Sequence, residues 1–209
     1  MDTFDAKCFG FNSQGQLGYG DTIQRGSVAG EMGNYLPTIN LGTSTAITIS
    51  ASHYNTCVIL NDNNMMCWGD NSSGQLGQGH TNLLGDEPNE LGDYLPPINF
   101  GSGELASDCT DSSPTTSPTL SPSISFAPSY STLVGCKTMF CGEFHSCFLS
   151  SQNKLKCLGL NNFGQLAYGD TINRGDNVNE TGSYLPSINI SSTNFPISLY
   201  SGDDNSVYF

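Results

Sequence analysis

A chain of 209 residues with 24 Gly, 10 Pro and only 12% charged residues describes many turns and short strands, and all-β structure is expected. The formal net charge of -13 comes from 19 acidic residues against Lys7, Arg25, Lys137, Lys154, Lys156 and Arg174, and no cation falls between Arg25 and Lys137. Such a surface repels phosphate backbones, which argues against nucleic acid and anionic membranes as partners and leaves basic protein surfaces or cations as the plausible ones.

The opening Met1-Asp2-Thr3-Phe4-Asp5 lacks the basic and apolar regions of a signal peptide, and no stretch is apolar enough to span a bilayer as a helix. Eight cysteines point instead to an oxidising compartment, the cell surface or the exterior. The two signals reconcile if the native protein begins upstream of Met1.

In chain order, the first feature is Cys8-Phe9-Gly10-Phe11-Asn12-Ser13-Gln14-Gly15-Gln16-Leu17-Gly18-Tyr19-Gly20. It returns from Cys67 to Gly79 and again from Cys157 to Gly169. A second landmark, Gly33-Asn34-Tyr35-Leu36-Pro37, recurs as Gly92-Asp93-Tyr94-Leu95-Pro96 and Gly182-Ser183-Tyr184-Leu185-Pro186. Both keep offsets of 59 (Cys8 to Cys67, Gly33 to Gly92) and then 90 (Cys67 to Cys157, Gly92 to Gly182). Three tandem units follow.

The longer second offset reflects a Pro/Ser/Thr-rich insertion at about residues 107–134, read as extended and mobile and open to O-glycosylation. Residues 1–106 then hold two units, and 135–209 hold the third with the first strand of another.

Within a unit, Cys57-Val58-Ile59-Leu60, the turn Asn61–Asn64 and Met65-Met66-Cys67-Trp68 predict a β-hairpin. Cys147–Ser150 and Lys154–Cys157 repeat it, with Lys154 and Lys156 alternating against Leu155 and Cys157. Alternation puts Cys57, Ile59, Met65 and Cys67 on one buried face, and likewise Cys147, Leu149, Leu155 and Cys157. The paired cysteines then oppose one another. Disulfides Cys57–Cys67 and Cys147–Cys157 are expected, the alternative being four small buried apolar residues.

In the Gly-Gln-Leu-Gly loops, Gly15, Gly18, Gly74, Gly77 and Gly164 are expected to supply positive φ and close backbone approach, with Ala167 in the last glycine's place. Leu17, Leu76 and Leu166 are expected to plug the core between units. The Tyr-Leu-Pro landmark is expected to start the next strand.

These residues, Cys-Trp-Gly-Asp-Asn-Ser-Ser-Gly-Gln-Leu-Gly-Gln-Gly with Cys57 ten residues earlier and Leu-Pro after, resemble the regulator of chromosome condensation repeat. The form with paired cysteines is similar to that of secreted or surface proteins of microbes. The resemblance implies a β-propeller of four-stranded blades, here about three in an open arc. It also implies a family containing exchange factors for small GTPases, an inhibitor of β-lactamases and many proteins without assigned activity. Asn55 stands for the repeat's usual histidine, which His145 keeps, and Phe9 and Leu158 stand where the second unit has Trp68. Cys8 has no cysteine ten residues before it, and the final residues align with the first hairpin strand alone, the pattern of a partial array.

Enzyme motifs are missing: His53, His80 and His145 stand near no nucleophile at a recognisable spacing, and no phosphate-cradling or zinc-protease motif occurs. No cofactor or metal is expected. Cys136, Cys141, His145 and Cys147 could offer zinc ligands, but Cys147 has a register partner in Cys157. Cys109 and Cys136 flank the insertion and could close its base, with Cys141 competing for either. Asp86, Glu87, Glu90, Asp93, Asp170, Asp176 and Glu180 supply oxygen ligands for Ca²⁺ without the spacing of a calcium loop. Three sequons, at Asn71, Asn179 and Asn189, suit glycosylation if the protein is exported.

The expected function is a non-catalytic propeller scaffold for protein–protein interaction, with regulation of a small GTPase or calcium-dependent surface binding as alternatives. The unpaired strands near Cys8 and Phe209 are complementary halves of a hairpin, so self-association is expected.

Overall fold

Glycine punctuation keeps the strands short and the hydrogen-bonding local. The computed structural model describes residues 6–100, 138–149, 154–188, 199–201 and 206–208. Eight strands occur among them: β1 (Ala46–Ala51), β2 (Asn55–Leu60), β3 (Met65–Gly69), β4 (Thr138–Cys141), β5 (His145–Leu149), β6 (Leu155–Gly159), β7 (Leu199–Ser201) and β8 (Ser206–Tyr208). They form antiparallel sheets in the orders β1-β2-β3, β4-β5-β6 and β7-β8. These are blades of a partial β-propeller. The insertion at 107–134, with Cys109 and Cys136, lies outside the described residues, as does Asn189.

The hairpins follow from alternation. Cys57 pairs with Cys67 and Ile59 with Met65, and Cys147 pairs with Cys157 and Leu149 with Leu155. The Asn-rich turn closes with Asn63 at φ 67 and with Asp62 accepting a hydrogen bond from the Asn64 N–H. Asn adopts this left-handed conformation at little cost.

Burial differs from the one-sided expectation. Every residue of β2, β3, β5 and β6 is buried. One face of the second hairpin (Cys57, Ile59, Met65, Cys67) packs with Met139, Phe148 and Leu158 of the next sheet. The other (Val58, Leu60, Met66, Trp68) packs with Ile39, Leu41 and Tyr19 of the preceding unit. Blades stacked on both sides turn an alternating strand into a doubly buried one.

Lys156 shows the same effect. Read as the polar side of an alternating strand, it is buried, its Nζ donating to the carbonyls of Phe100 (2.9 Å) and Gly182 (3.4 Å). Lys7, its counterpart in the first unit, donates to the carbonyl of Gly33 at 3.0 Å, and Met66 holds the position in the second. At this position the lysine ammonium donates to backbone carbonyls, which help to satisfy it.

The innermost strands were missed by the sequence reading. β1 pairs with β2 and β4 with β5, and β4 lies beside both β1 and β7. The Tyr-Leu-Pro landmark, in contrast, starts no strand. Gly33–Tyr35, Gly92–Tyr94 and Gly182–Tyr184 are 3₁₀ turns followed by buried Leu36, Leu95 and Leu185. Beyond the prolines, one bond per unit joins the outer edge: Ile39 N–H to Ala6, Ile98 N–H to Met65 and Ile188 N–H to Leu155. The complete sheets therefore have three strands, and the expected fourth is reduced to a single contact because proline has no N–H to extend a ladder.

Candidate functional site

The constant residues of the repeat meet in one construction, a hairpin exit, a loop and a junction with the next blade. At the hairpin, disulfides join Cys57 to Cys67 and Cys147 to Cys157, each across ten residues of sequence. With Cys147 so engaged it is no metal ligand. Of the remaining described cysteines, Cys8 is half-buried and Cys141 buried, and burial pushes the Cys141 thiol up to about 12.

The chain leaves β3 and β6 through Gly69 (φ 109) and Gly159 (φ 108), where a Cβ would strike the carbonyls of Tyr54 and Phe144. The asparagine two residues on is buried and shapes the loop. The Oδ1 of Asn12, Asn71 and Asn161 accepts from the N–H of Leu17, Leu76 and Leu166 at 2.9, 3.0 and 2.9 Å. Their Nδ2 groups donate to the carbonyls of Asp21, His80 and Asp170. Asn71 is thus fully buried with its amide nitrogen occupied, so the sequon there is closed to glycosylation in the folded chain. Gln16, Gln75 and Gln165 each accept the N–H two residues earlier at 2.9 Å. Leu17, Leu76 and Leu166 are buried; Leu76 packs with Ile98, Met139 and Leu158, and Leu166 with Cys147, Leu149, Leu155 and Cys157.

The glycines sit where one loop rests on the next blade. A Cβ on Gly15 would meet the backbone of Gly85 and Asp86, and one on Gly74 the backbone of Gly175 and Asp176. Gly20 N–H donates to Gly85 and Gly79 N–H to Gly175, at 3.2 and 3.1 Å. Gly18 lies against the Trp68 indole and Gly77 against Leu158 and Ile98. In the third loop the nearest atom to a Cβ on Gly164 is 4.0 Å away, and Ala167 is exposed at φ 60. The Gly-to-Ala departure thus falls where no described blade crowds the position.

The acidic loops have an internal purpose. Glu31 Oε2 accepts from the N–H groups of Gly26, Ser27 and Val28. Glu90 does so from Gly85 and Glu87, and Glu180 from Gly175 and Asn177. Glu90 and Glu180, two of the carboxylates weighed above as Ca²⁺ ligands, therefore tie down their own loops. Among the described residues, no three His, Cys, Asp or Glu side chains group as metal ligands.

Three positions change together. In the first unit Arg25 lies over the Tyr19 ring (4.3 Å) and pairs with Asp21 (2.7 Å); in the third, Arg174 lies over Tyr168 (5.2 Å) and pairs with Asp170 (2.8 Å). In the second the trio is Gln78, His80 and Leu84. Gln78 donates to the Pro96 carbonyl as Tyr19 does to that of Pro37, and His80 Nδ1 accepts the Asn82 N–H as Asp21 accepts that of Ile23. Sequence reasoning missed these Asn, Gln, Glu and Lys roles, though their recurrence at the repeat offsets was the available signal.

Stacked antiparallel sheets joined by loops that rest on the next blade define a repeat β-propeller. The chain carries repeats of the regulator of chromosome condensation (RCC1) family, whose description matches residues 46–75 and 136–165. It is similar to the E3 ubiquitin-protein ligase MYCBP2 of Danio rerio, 38% identical over 78 residues that make up 37% of this chain and 2% of the ligase. Among solved structures it resembles Prp20p from Saccharomyces cerevisiae, with a TM-score of 0.51, 11% identity and coverage of 95% of this chain and 37% of that one. It also resembles a chain in the crystal structure of Kap60 bound to yeast RCC1 (Prp20), with a TM-score of 0.50, 13% identity and coverage of 96% and 37%. At such identities the likeness speaks for the fold, and this chain spans little more than a third of those structures.

Proposed function

We propose that the chain is a non-catalytic scaffold that binds a protein partner through the loops at the ends of its blades. One observation carries the reading: the Asn, Gln, Leu and Glu positions that build each blade recur in all three units, with most of the loop glycines, whereas several exposed positions beside them differ from unit to unit. Val28, Glu87 and Asn177, for instance, occupy one repeat position and are exposed in every unit. Such a division of a rigid framework and variable loops is the architecture of a binding surface. The insertion at 107–134, placed between the units of 1–106 and 135–209, belongs to the same reading as a further variable segment. Among the described residues no helix is long and apolar enough to cross a membrane.

A regulator of a small GTPase is the second reading, because the Prp20p structure is described together with that protein's binding to Gsp1p and histones. Nucleotide release separates the two. A scaffold leaves the release of a labelled nucleotide from small GTPases unchanged at catalytic concentrations of the chain, whereas acceleration of any one of them overturns the non-catalytic reading. Pairing of β7–β8 of one molecule with the segment around Cys8 of another adds self-association to the proposal, and a strictly monomeric species in sedimentation at every concentration would remove it.

A further inference from the structure

Four rings from three units form one row beside the Gly-Gln-Leu-Gly loops. Phe11 lies edge-on to His53 and Tyr54, with ring centroids 6.3 and 6.5 Å apart. His53 stacks on Tyr54 at 4.2 Å, and Tyr54 reaches Phe144 at 6.3 Å. Phe11 is 53% exposed, His53 is exposed, and Tyr54 and Phe144 are partly so.

The repeat does not call for Phe11 or His53, although Tyr54 and Phe144 share one repeat position. At the turns that hold them the framework uses backbone only: Tyr54 O accepts the Asp70 N–H and Phe144 O the Leu160 N–H, both at 2.8 Å. Asp70 and Leu160 occupy Phe11's position in the other units, and Glu143 stands where the second unit has His53. Residues 11, 53, 54 and 144 become neighbours only through the stacking of blades.

Charge identifies what suits them. The chain carries -13, with no Lys or Arg between Arg25 and Lys137. Of the described cations, Arg25 and Arg174 pair with Asp21 and Asp170, Lys156 is buried on carbonyls, Lys154 is engaged, and Lys7 is exposed with its Nζ on the Gly33 carbonyl, in the groove that Phe11 and His53 also line. Lys7 thus stands at the Phe11 and His53 end of the row, whereas Glu143 adjoins Phe144 at the other, and there the net negative charge of the chain favours a cation over the exposed ring faces. Aromatic faces attract cations through their quadrupole, and guanidinium groups also stack on them.

We propose that this row is the docking surface for an extended segment of a partner protein whose Arg or Lys side chains lie over Tyr54 and Phe144, with Phe11 and His53 flanking it. The assignment rests on the scaffold reading and names the chemistry of its partner.

Fluorescence anisotropy with a labelled peptide of alternating Arg and Gly, added to the whole disulfide-bonded chain, tests it. Binding is expected, with Tyr54→Ala and Phe144→Ala each weakening it about three- to tenfold, Tyr54→Phe binding as the parent does, and the exposed Tyr35→Ala and Tyr184→Ala leaving it unchanged. Equal binding by the alanine variants would reduce the attraction to diffuse charge and overturn the proposal. So would stronger binding of a proline-rich peptide of the same length, or no binding of the Arg-Gly peptide. A protein partner held equally well by Tyr54→Ala and Phe144→Ala would also overturn it while the scaffold reading stood, whereas accelerated nucleotide release would remove that reading alone.

Discussion

The indole Nε1 of Trp68 donates to the backbone carbonyl of Gln16 at 3.1 Å, and the Thr56 hydroxyl reaches the same oxygen at 2.9 Å. Gln16 in turn donates through Nε2 to the His53 carbonyl, so one residue of the first loop is clasped at three points by the second blade. At the next junction Leu158 occupies the tryptophan's place and offers no donor. Trp68→Phe is expected to destabilise the chain by about 2 kcal/mol, from the lost hydrogen bond and the space left in a filled core. Urea denaturation followed by far-UV circular dichroism measures it. As Trp68 is the single tryptophan and fully buried, the parent should emit at short wavelength and resist acrylamide quenching; exposed-type emission would contradict the packing.

Close approach at the junctions makes equivalent glycines unequal. Gly15→Ala and Gly74→Ala place a methyl against the neighbouring blade's backbone, at φ 74 and 80, and are expected to cost about 3 kcal/mol or more. Gly164→Ala meets open space and carries only the left-handed conformation, about 1 kcal/mol. Equal losses in thermal or urea unfolding would contradict the loop-on-blade junction.

Each disulfide closes a short loop inside the core. Replacing Cys57 and Cys67 together by Ala is expected to cost about 3 kcal/mol from loop-closure entropy. Cys8 and Cys141, whose thiols burial raises to about 11 and about 12, should resist thiol reagents until the chain is unfolded. Peptide mapping without reduction should show Cys57 linked to Cys67 and Cys147 to Cys157; free thiols at all four would contradict the pairing.

Mild acid should strengthen the junction loops before stronger acid weakens others. Burial, then neighbouring Glu90, raises the Asp86 carboxyl above its ordinary 3.8, and burial, then Asp176, raises Glu180 above 4.5. A raised carboxyl holds its proton better in the folded chain, so its stabilising contribution is full below the ordinary value and lost as pH rises through the raised one. Asp21, lowered chiefly by the Arg25 hydrogen bond, and Asp170, lowered chiefly by the Ile172 N–H, contribute above the ordinary value and lose this as pH falls through the lowered one. Urea stability should therefore peak in the mildly acid range. Asp86→Asn with Asp176→Asn should flatten the decline above the peak, and Glu87→Gln in the same loop controls for net charge. An unchanged decline would contradict the coupling.

What the sequence reveals depends on whether one strand or several carry the information. The Cys57–Cys67 pairing is local, since a ten-residue spacing around an Asn-rich turn fixes faces and partners together. The burial of Lys156 is not, because alternation tells which side a residue takes but not that another blade covers that side. β1 was overlooked because it is mostly exposed, leaving only the weak alternation Ala46-Ile47-Thr48-Ile49 as a signal. The prolines after Tyr35, Tyr94 and Tyr184 were read as a strand start when their missing N–H groups limit that edge to one bond. The aromatic row joins residues 11, 53, 54 and 144 and exists only once the blades are stacked.

Binding of a protein partner by this face is the central claim, and site-directed photo-crosslinking tests it most directly. With p-benzoylphenylalanine in place of Phe144 in one preparation and of Tyr35 in another, irradiation in extracts of the source cells should join a discrete protein to position 144 and not to position 35. That adduct should be competed by the unlabelled parent chain but not by Tyr54→Ala. Adducts equal at both positions, or none at 144, would contradict the account.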